Sequence, residues 1–74
     1  MVKVYSKDNC TNCMVTKNFL KMKGIEFEEI DITKDQQALS YVQSLGYSTL
    51  PVVVADKDHW AGYNAVKLSS IAQK

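Results

Sequence analysis

Two rhythms of apolar and polar residues run along this chain, and the switches between them outline its elements. Val2-Lys3-Val4-Tyr5 is short, β-branched and aromatic, which suits a first strand. The polar cluster Lys7-Asp8-Asn9 follows as a turn. From Thr11 the rhythm becomes helical: Val15, Phe19 and Met22 recur at i, i+4 and i+7, and Leu20 widens the stripe. Lys17, Lys21 and Lys23 come late in this segment, where cations suit a helix C-terminus, and Gly24 is the stop.

The alternation returns in Glu26-Phe27-Glu28-Glu29-Ile30-Asp31-Ile32, a second strand with Ile30 and Ile32 on one side and Glu29 and Asp31 on the other. Phe27 falls out of phase with the two isoleucines, which leaves the register near Glu28 open. A helix from Asp35 to Leu45 follows, capped by Thr33 or Asp35 and closed by Gly46, with Ala38, Val42 and Leu45 as its apolar face. Leu50-Pro51-Val52-Val53-Val54-Ala55 predicts a third strand led by the single proline, a place where proline is tolerated. Asp56-Lys57-Asp58 turns the chain into His59-Trp60-Ala61-Gly62-Tyr63, and Asn64 caps a last short helix carrying Val66, Leu68 and Ile71. The order β-α-β-α-β-β-α predicts an α/β domain. A right-handed crossover gives a parallel pair, the final hairpin adds antiparallel strands, and three helices flank the four-stranded mixed sheet.

Composition narrows the function. The chain has 74 residues, of which 46% are hydrophobic, with one proline and three glycines. These values predict one folded domain spanning residues 1–74 with no low-complexity segment. Nine basic residues, all lysine, stand against eight acids for a net charge of +1. With no arginine and no basic stripe, nucleic acid is not an expected partner. No apolar run approaches the roughly 20 residues that span a bilayer, and the start reads as a strand rather than a signal peptide, so the expected location is the cytosol.

Two cysteines in so small a chain raise the question of a staple, because a core below about 70–80 residues rarely contributes more than roughly 3–5 kcal/mol. Their spacing points elsewhere. Cys10-Thr11-Asn12-Cys13 lies between the first strand and the first helix, where C-x-x-C reads as a thiol–disulfide motif. At a helix N-terminus, unpaired N–H groups and the helix dipole stabilise a thiolate. Cys10 is therefore the expected nucleophile. Cys13, one turn on, is the expected resolving thiol that attacks a mixed disulfide at Cys10. Lys7 adds positive charge nearby and Asp8 opposes it. A purely structural disulfide closing four residues would add only about 2 kcal/mol in the chain-entropy view, in a reducing compartment that disfavours it. A zinc site needs two further ligands, and one histidine without other cysteines does not complete it.

Three weaker signals accompany the cysteines. Pro51 either starts a strand or follows a cis peptide bond, which would expose the Leu50 backbone beside the cysteines for strand-to-strand pairing with an extended substrate. Thr49 either assists there or is an ordinary loop residue. Trp60-Ala61-Gly62-Tyr63 is either core and turn material or a segment whose N–H groups at Gly62 are open to an anionic group. His59 reads as an exposed strand residue, and Glu26, Glu28, Glu29 and Asp31 as a solvated strand face.

These residues match a known family. The chain resembles the glutaredoxin branch of the thioredoxin superfamily over essentially its whole length. The match rests on Val-Tyr-Ser before Cys10-x-x-Cys13, on Thr49-Leu50-Pro51 before a valine-rich strand, and on a glycine before the last helix. Within that branch it resembles the NrdH-type redoxins. Asp8-Asn9-Cys10, Thr16-Lys17 and Leu50-Pro51-Val52-Val53 carry that likeness, and Trp60-Ala61-Gly62-Tyr63 is similar to the family's Trp-Ser-Gly-Phe motif.

The resemblance implies a thioredoxin/glutaredoxin-like fold and a dithiol carrier; no bound cofactor or metal is expected, and nothing in the sequence suggests an obligate dimer, so a monomer is expected. Such a carrier is reduced by thioredoxin reductase at the expense of NADPH and reduces class Ib ribonucleotide reductase. It further implies that Cys10 and Cys13 are the redox pair, that Pro51 is a cis-proline, and that Thr49, Leu50, Trp60 and Gly62 line the substrate groove. A glutathione-dependent glutaredoxin is the alternative, and a metal-binding or adaptor module the alternative of another class. Thr11-Asn12 differs from the Pro-Tyr of ordinary glutaredoxins and from the Val-Gln common among these redoxins, so the resemblance does not set the redox potential. Asn64 stands where glutaredoxins carry the acidic cap that helps hold glutathione, which argues against tight glutathione binding. It also replaces the redoxins' basic residue after Gly-Phe.

Overall fold

Parallel pairing of the first two strands sets the topology. In the computed structural model, which describes residues 2–56 and 58–72, β1 (Val2–Ser6) pairs in parallel with β2 (Phe27–Asp31) and antiparallel with β3 (Val52–Ala55). The hairpin partner β4 (Asp58–Ala61) completes a mixed sheet of order β2-β1-β3-β4. The helices are α1 (Thr11–Met22), α2 (Gln36–Ser44) and α3 (Ala65–Ala72). The predicted element order is therefore the observed one, with β1 one residue longer and the other three strands somewhat shorter than expected. Lys57, part of the predicted hairpin turn, lies outside the described residues.

The two central strands are apolar on both faces, as strands covered on both sides must be. Val4 and Val53 point to a cluster with Leu20 of α1, Trp60 of β4 and Leu68 of α3. Tyr5 and Val52 point the other way, to Ala38 and Val42 of α2. Strict alternation settles the register left open at Glu28: Phe27 packs on the α1–α3 side, whereas Ile30 and Ile32 pack on the α2 side. The strand is regular, and its two ends simply bury opposite faces.

Local chemistry ends the helices as expected. At Gly24, with φ +69°, the Ile25 N–H donates to the Leu20 carbonyl at 3.0 Å and the Gly24 N–H to the Lys21 carbonyl at 3.1 Å. This is the Schellman pattern, and the Ile25 and Leu20 side chains meet in the same cluster. Asp35, one of two candidate caps for α2, accepts from the Ala38 N–H at 3.1 Å. Asn64 caps α3 by accepting from the Lys67 N–H at 3.1 Å.

The helix faces required correction. Met22, expected in the buried stripe of α1, is 81% exposed, and Val15 is exposed too. The buried face is Cys13, Thr16 and Leu20, with Phe19 packed beside it. Small semi-polar side chains fill the closely packed start of the helix, so hydrophobicity alone places the stripe too far around. Val66 of α3 is likewise 81% exposed while Leu68 is fully buried. Among the described residues, no helix is long and apolar enough to cross a membrane.

This assignment of faces has a direct test in chemical denaturation. Leu20→Ala is expected to lower the unfolding free energy by about 2–5 kcal/mol through the cavity it leaves. Met22→Ala, two residues away but in solvent, is expected to change it by less than about 0.5 kcal/mol.

Candidate active site

Where β1 ends, the chain must turn sharply to begin α1, and the turn is built from residues suited to it. Asn9 takes a left-handed backbone conformation with φ +59°, which its short polar side chain tolerates. Cys10 then adopts an extended backbone and becomes the N-cap of α1. Its carbonyl accepts the first helical bond from the Met14 N–H at 3.1 Å, and its Sγ accepts from the Cys13 N–H at 3.2 Å. Sulfur thus occupies the position that a serine or aspartate oxygen usually fills. No acidic side chain lies in the first turn of α1, so nothing there opposes an anion on that sulfur. The two sulfurs are joined in a disulfide, with a Cα–Cα separation of 5.2 Å. Cys10 is half-buried at the mouth of a groove, whereas Cys13 is 1% exposed, with its side chain on the core side of the helix.

The groove has a volume of about 800 Å3, and Cys10 shares its wall with Lys7, Asn12, Tyr47, Thr49 and Leu50. The Leu50–Pro51 peptide bond is cis, the second of the two readings that the sequence left open. Pro51 itself is buried, and its carbonyl accepts from the Gly62 N–H at 2.7 Å. The chain segments carrying Cys10, Thr49, Leu50, Pro51 and Gly62 are therefore brought together. Lys7 joins them, while Asp8 is exposed and does not line the groove.

Two expectations fail here. Trp60 does not line the groove. It is 6% exposed and packs in the core with Val4, Leu20, Val53 and Leu68, with the Lys67 ammonium 6.0 Å from its ring centre. Its strand position dictates this, since Trp60 is paired with Val53 and both face α1 and α3. Nor is the Gly62 N–H open to an anion, because Pro51 already takes it. Conversely, the groove has a wall that sequence reasoning missed, formed by Leu39, Val42 and Gln43 of α2 with Tyr47 beyond it. The only available signal was Leu39 flanking the predicted α2 stripe.

The acidic strand face also has more structure than a solvated surface. The Glu29 carboxylate accepts from the Ser6 hydroxyl at 2.9 Å and from the Lys17 ammonium. One side chain of β2 thereby ties the end of β1, just before the cysteine turn, to the helix that follows it. The Lys17 hydrogen bond, reinforced by Ser6, holds the Glu29 carboxyl below its ordinary value against the opposing effect of partial burial. Asp31 is also held low, by the Thr33 hydroxyl and then the Thr33 N–H. His59 is exposed, as expected. Among the described residues, no cluster of three or more histidine, cysteine or acidic side chains could hold a metal ion.

Fold and disulfide together define a thiol–disulfide oxidoreductase of thioredoxin-like architecture. Comparison with known proteins narrows the class. A model of the glutaredoxin family matches residues 2–60. The glutaredoxin-like protein NrdH of Lactococcus lactis subsp. lactis is 33% identical over 72 residues, covering 97% of this chain and all of that protein. An uncharacterized glutaredoxin-like protein in the rubredoxin operon of Clostridium pasteurianum is 31% identical over 75 residues, with 100% of both chains covered. The structure of the NrdH-redoxin from Escherichia coli superposes with a TM-score of 0.92 at 26% identity, covering 95% of this chain and 92% of that one. The chain belongs to the glutaredoxin family, among its NrdH-type members.

The Glu29 network predicts a pH dependence. A carboxyl whose folded pKa is depressed stabilises the fold above its unfolded value, and that contribution disappears as pH falls through the folded value. Glu29→Gln is therefore expected to be less stable than the unaltered protein above about pH 4.5, the ordinary value for this group. The difference should close at lower pH, as followed by urea unfolding across pH 2.5–7.

Proposed function

We propose that residues 1–74 act as a single redoxin domain that carries two electrons on Cys10 and Cys13 in the cytosol. Thioredoxin reductase supplies them from NADPH, and the disulfide of class Ib ribonucleotide reductase receives them. The observation that carries this reading is the asymmetry of the two cysteines: Cys10 opens onto the groove, and Cys13 is buried behind it.

Chemistry follows from that asymmetry. In the reduced protein, the Cys10 thiolate is held at the helix N-terminus by the Cys13 N–H, a bond strengthened when the acceptor is charged. It attacks one sulfur of the substrate disulfide, forms a mixed disulfide and expels the other sulfur as a thiolate. The Cys13 thiol loses its proton and attacks Cys10 Sγ. The internal disulfide forms and the second substrate sulfur leaves, so the substrate gains two electrons and, with two protons, becomes a dithiol. Thioredoxin reductase then returns two electrons to the internal disulfide, with no bound cofactor or metal on the redoxin.

Thr49 and the Leu50 main chain form the edge along which an extended substrate segment lies. Pro51 and Gly62 support that edge from below, and Trp60 contributes from the core rather than by contact. Lys7 adds favourable charge beside the thiolate. The choice of thioredoxin reductase over glutathione is supported by Asn64, which caps its own helix in place of an acidic residue. It is supported too by the E. coli relative, described as having a thioredoxin-like activity profile.

Two experiments test the proposal. NADPH oxidation with insulin as acceptor is expected when thioredoxin reductase is supplied, and little with glutathione plus glutathione reductase. Turnover confined to the glutathione system would overturn the assigned donor. Separately, Cys13→Ser is expected to accumulate a mixed disulfide at Cys10, detected by intact mass. An adduct seen only in Cys10→Ser would reverse the two roles.

A further inference from the structure

The segment between α2 and β3 supplies Thr49 and Leu50 to the groove, yet its own main chain is unsupported. Among the described residues, no backbone N–H or carbonyl from Tyr47 to Leu50 takes part in a hydrogen bond. Two side chains, Tyr47 and Leu50, tie the segment down by packing, and Tyr47 alone of the two adds a polar anchor. The Tyr47 ring packs against the cluster of Tyr5, Ala38, Val42 and Val52. Its hydroxyl reaches β4, where Oη lies 2.6 Å from His59 Nδ1 and 3.2 Å from the His59 carbonyl oxygen. The two rings meet edge-on with centres 5.5 Å apart. A phenol carries one proton, so both contacts are met in full when Oη donates to the carbonyl and accepts from Nδ1–H. The arrangement thus selects the Nδ1–H form of the neutral imidazole.

We propose that Tyr47 and His59 are positioning residues for substrate. Their hydrogen bond holds the 47–50 segment against β4 and so sets where the Thr49–Leu50 edge stands relative to Cys10. The Gly62 N–H bond to the Pro51 carbonyl secures the far end of the same segment. Between these two anchors, Thr49 and Leu50 have no polar tether among the described residues. Loss of the Tyr47 anchor loosens the edge without touching either sulfur. The effect falls on substrates that use the edge, namely extended protein segments, and spares small disulfides that need only Cys10. This inference rests on the reading that the Leu50 edge of the groove holds substrate.

The test uses the untagged full chain with dithiothreitol as reductant, so that it does not depend on the identity of the physiological donor. His59→Ala is expected to raise KM for insulin about 3- to 10-fold, the worth of one hydrogen bond, and Tyr47→Phe, which loses both Oη contacts, at least as much. For His59→Ala, whose residue does not line the groove, kcat and the rate toward a small aromatic disulfide are expected to stay within about twofold, well inside that hydrogen-bond effect. His59→Asn, whose side-chain amide can donate from near the Nδ1 position, is expected to recover most of the KM. The chain has a single histidine, so its ring nitrogen resonances are unambiguous. In the neutral ring they are expected to show the proton on Nδ1.

An unchanged KM in either folded variant, an equal loss toward the small disulfide in His59→Ala, or a proton on Nε2 would each overturn the proposal. Thr49→Arg, whose bulk obstructs the groove edge at an exposed position, separates the two levels of failure. If it raises KM while Tyr47→Phe does not, the groove reading stands and the pair is only a surface contact. If neither moves KM, the groove reading fails and takes the pair's role with it. Should Tyr47→Phe not fold, His59→Ala leaves the tyrosine ring in place and decides the same question.

Discussion

The antiparallel register between β1 and β3 is the constraint on which the site depends. Val4 stands opposite Val53 and Tyr5 opposite Val52, so the end of β1 and the start of β3 emerge at the same edge of the sheet. The cysteine turn leaves from one and the cis-proline segment arrives at the other. A slip of one residue would send Val4 and Tyr5 to each other's faces and exchange the contents of two cores. Because both central strands are buried on both sides, that error is costly twice over. Apolar packing at the centre of the sheet therefore also fixes a distance in the active site.

Two features tighten what packing sets approximately. Glu29 links Ser6 to Lys17, joining the last residue of β1 to the helix beyond the turn. The Gly62 N–H joins Pro51 to the chain entering α3. Both bonds span different elements close to the cysteines, and neither involves a sulfur atom. The redox centre is held by partners that its own chemistry leaves unchanged.

Much of this was legible in the sequence because it depends on local rules. Gly24 ends a helix through its own backbone freedom, Asn64 starts one through its own side chain, and C-x-x-C at a strand–helix junction is local by nature. The family resemblance pointed to Thr49, Leu50 and Pro51, and the structure places the first two on the groove wall beside Cys10 and Pro51 after a cis bond. What was misread depends on contacts between distant residues. Met22 and Val66 are as apolar as Leu20 and Leu68, and only the position of the sheet decides which pair is covered. Trp60 looked like groove material because of the motif around it, but its pairing with Val53 turned it inward. Glu29 read as one of several solvated acids until Lys17 and Ser6, remote in sequence, were found beside it. Tyr47 and His59 offered no sequence signal at all, since their contact exists only once β4 folds alongside the α2–β3 segment.

The sulfur cap on α1 has a bearing on how little the protein must rearrange as it works. A cap is usually a permanent fixture, whereas this one is also the proposed reacting atom. Divalent sulfur keeps lone pairs whether it is bonded to Cys13, bonded to a substrate or present as a thiolate, so it can accept from the Cys13 N–H in every state of the cycle. The first turn of the helix then need not melt and reform at each turnover. Reorganisation is confined to rotations about a few side-chain bonds, which suits a carrier of only 74 residues with little structure to spare.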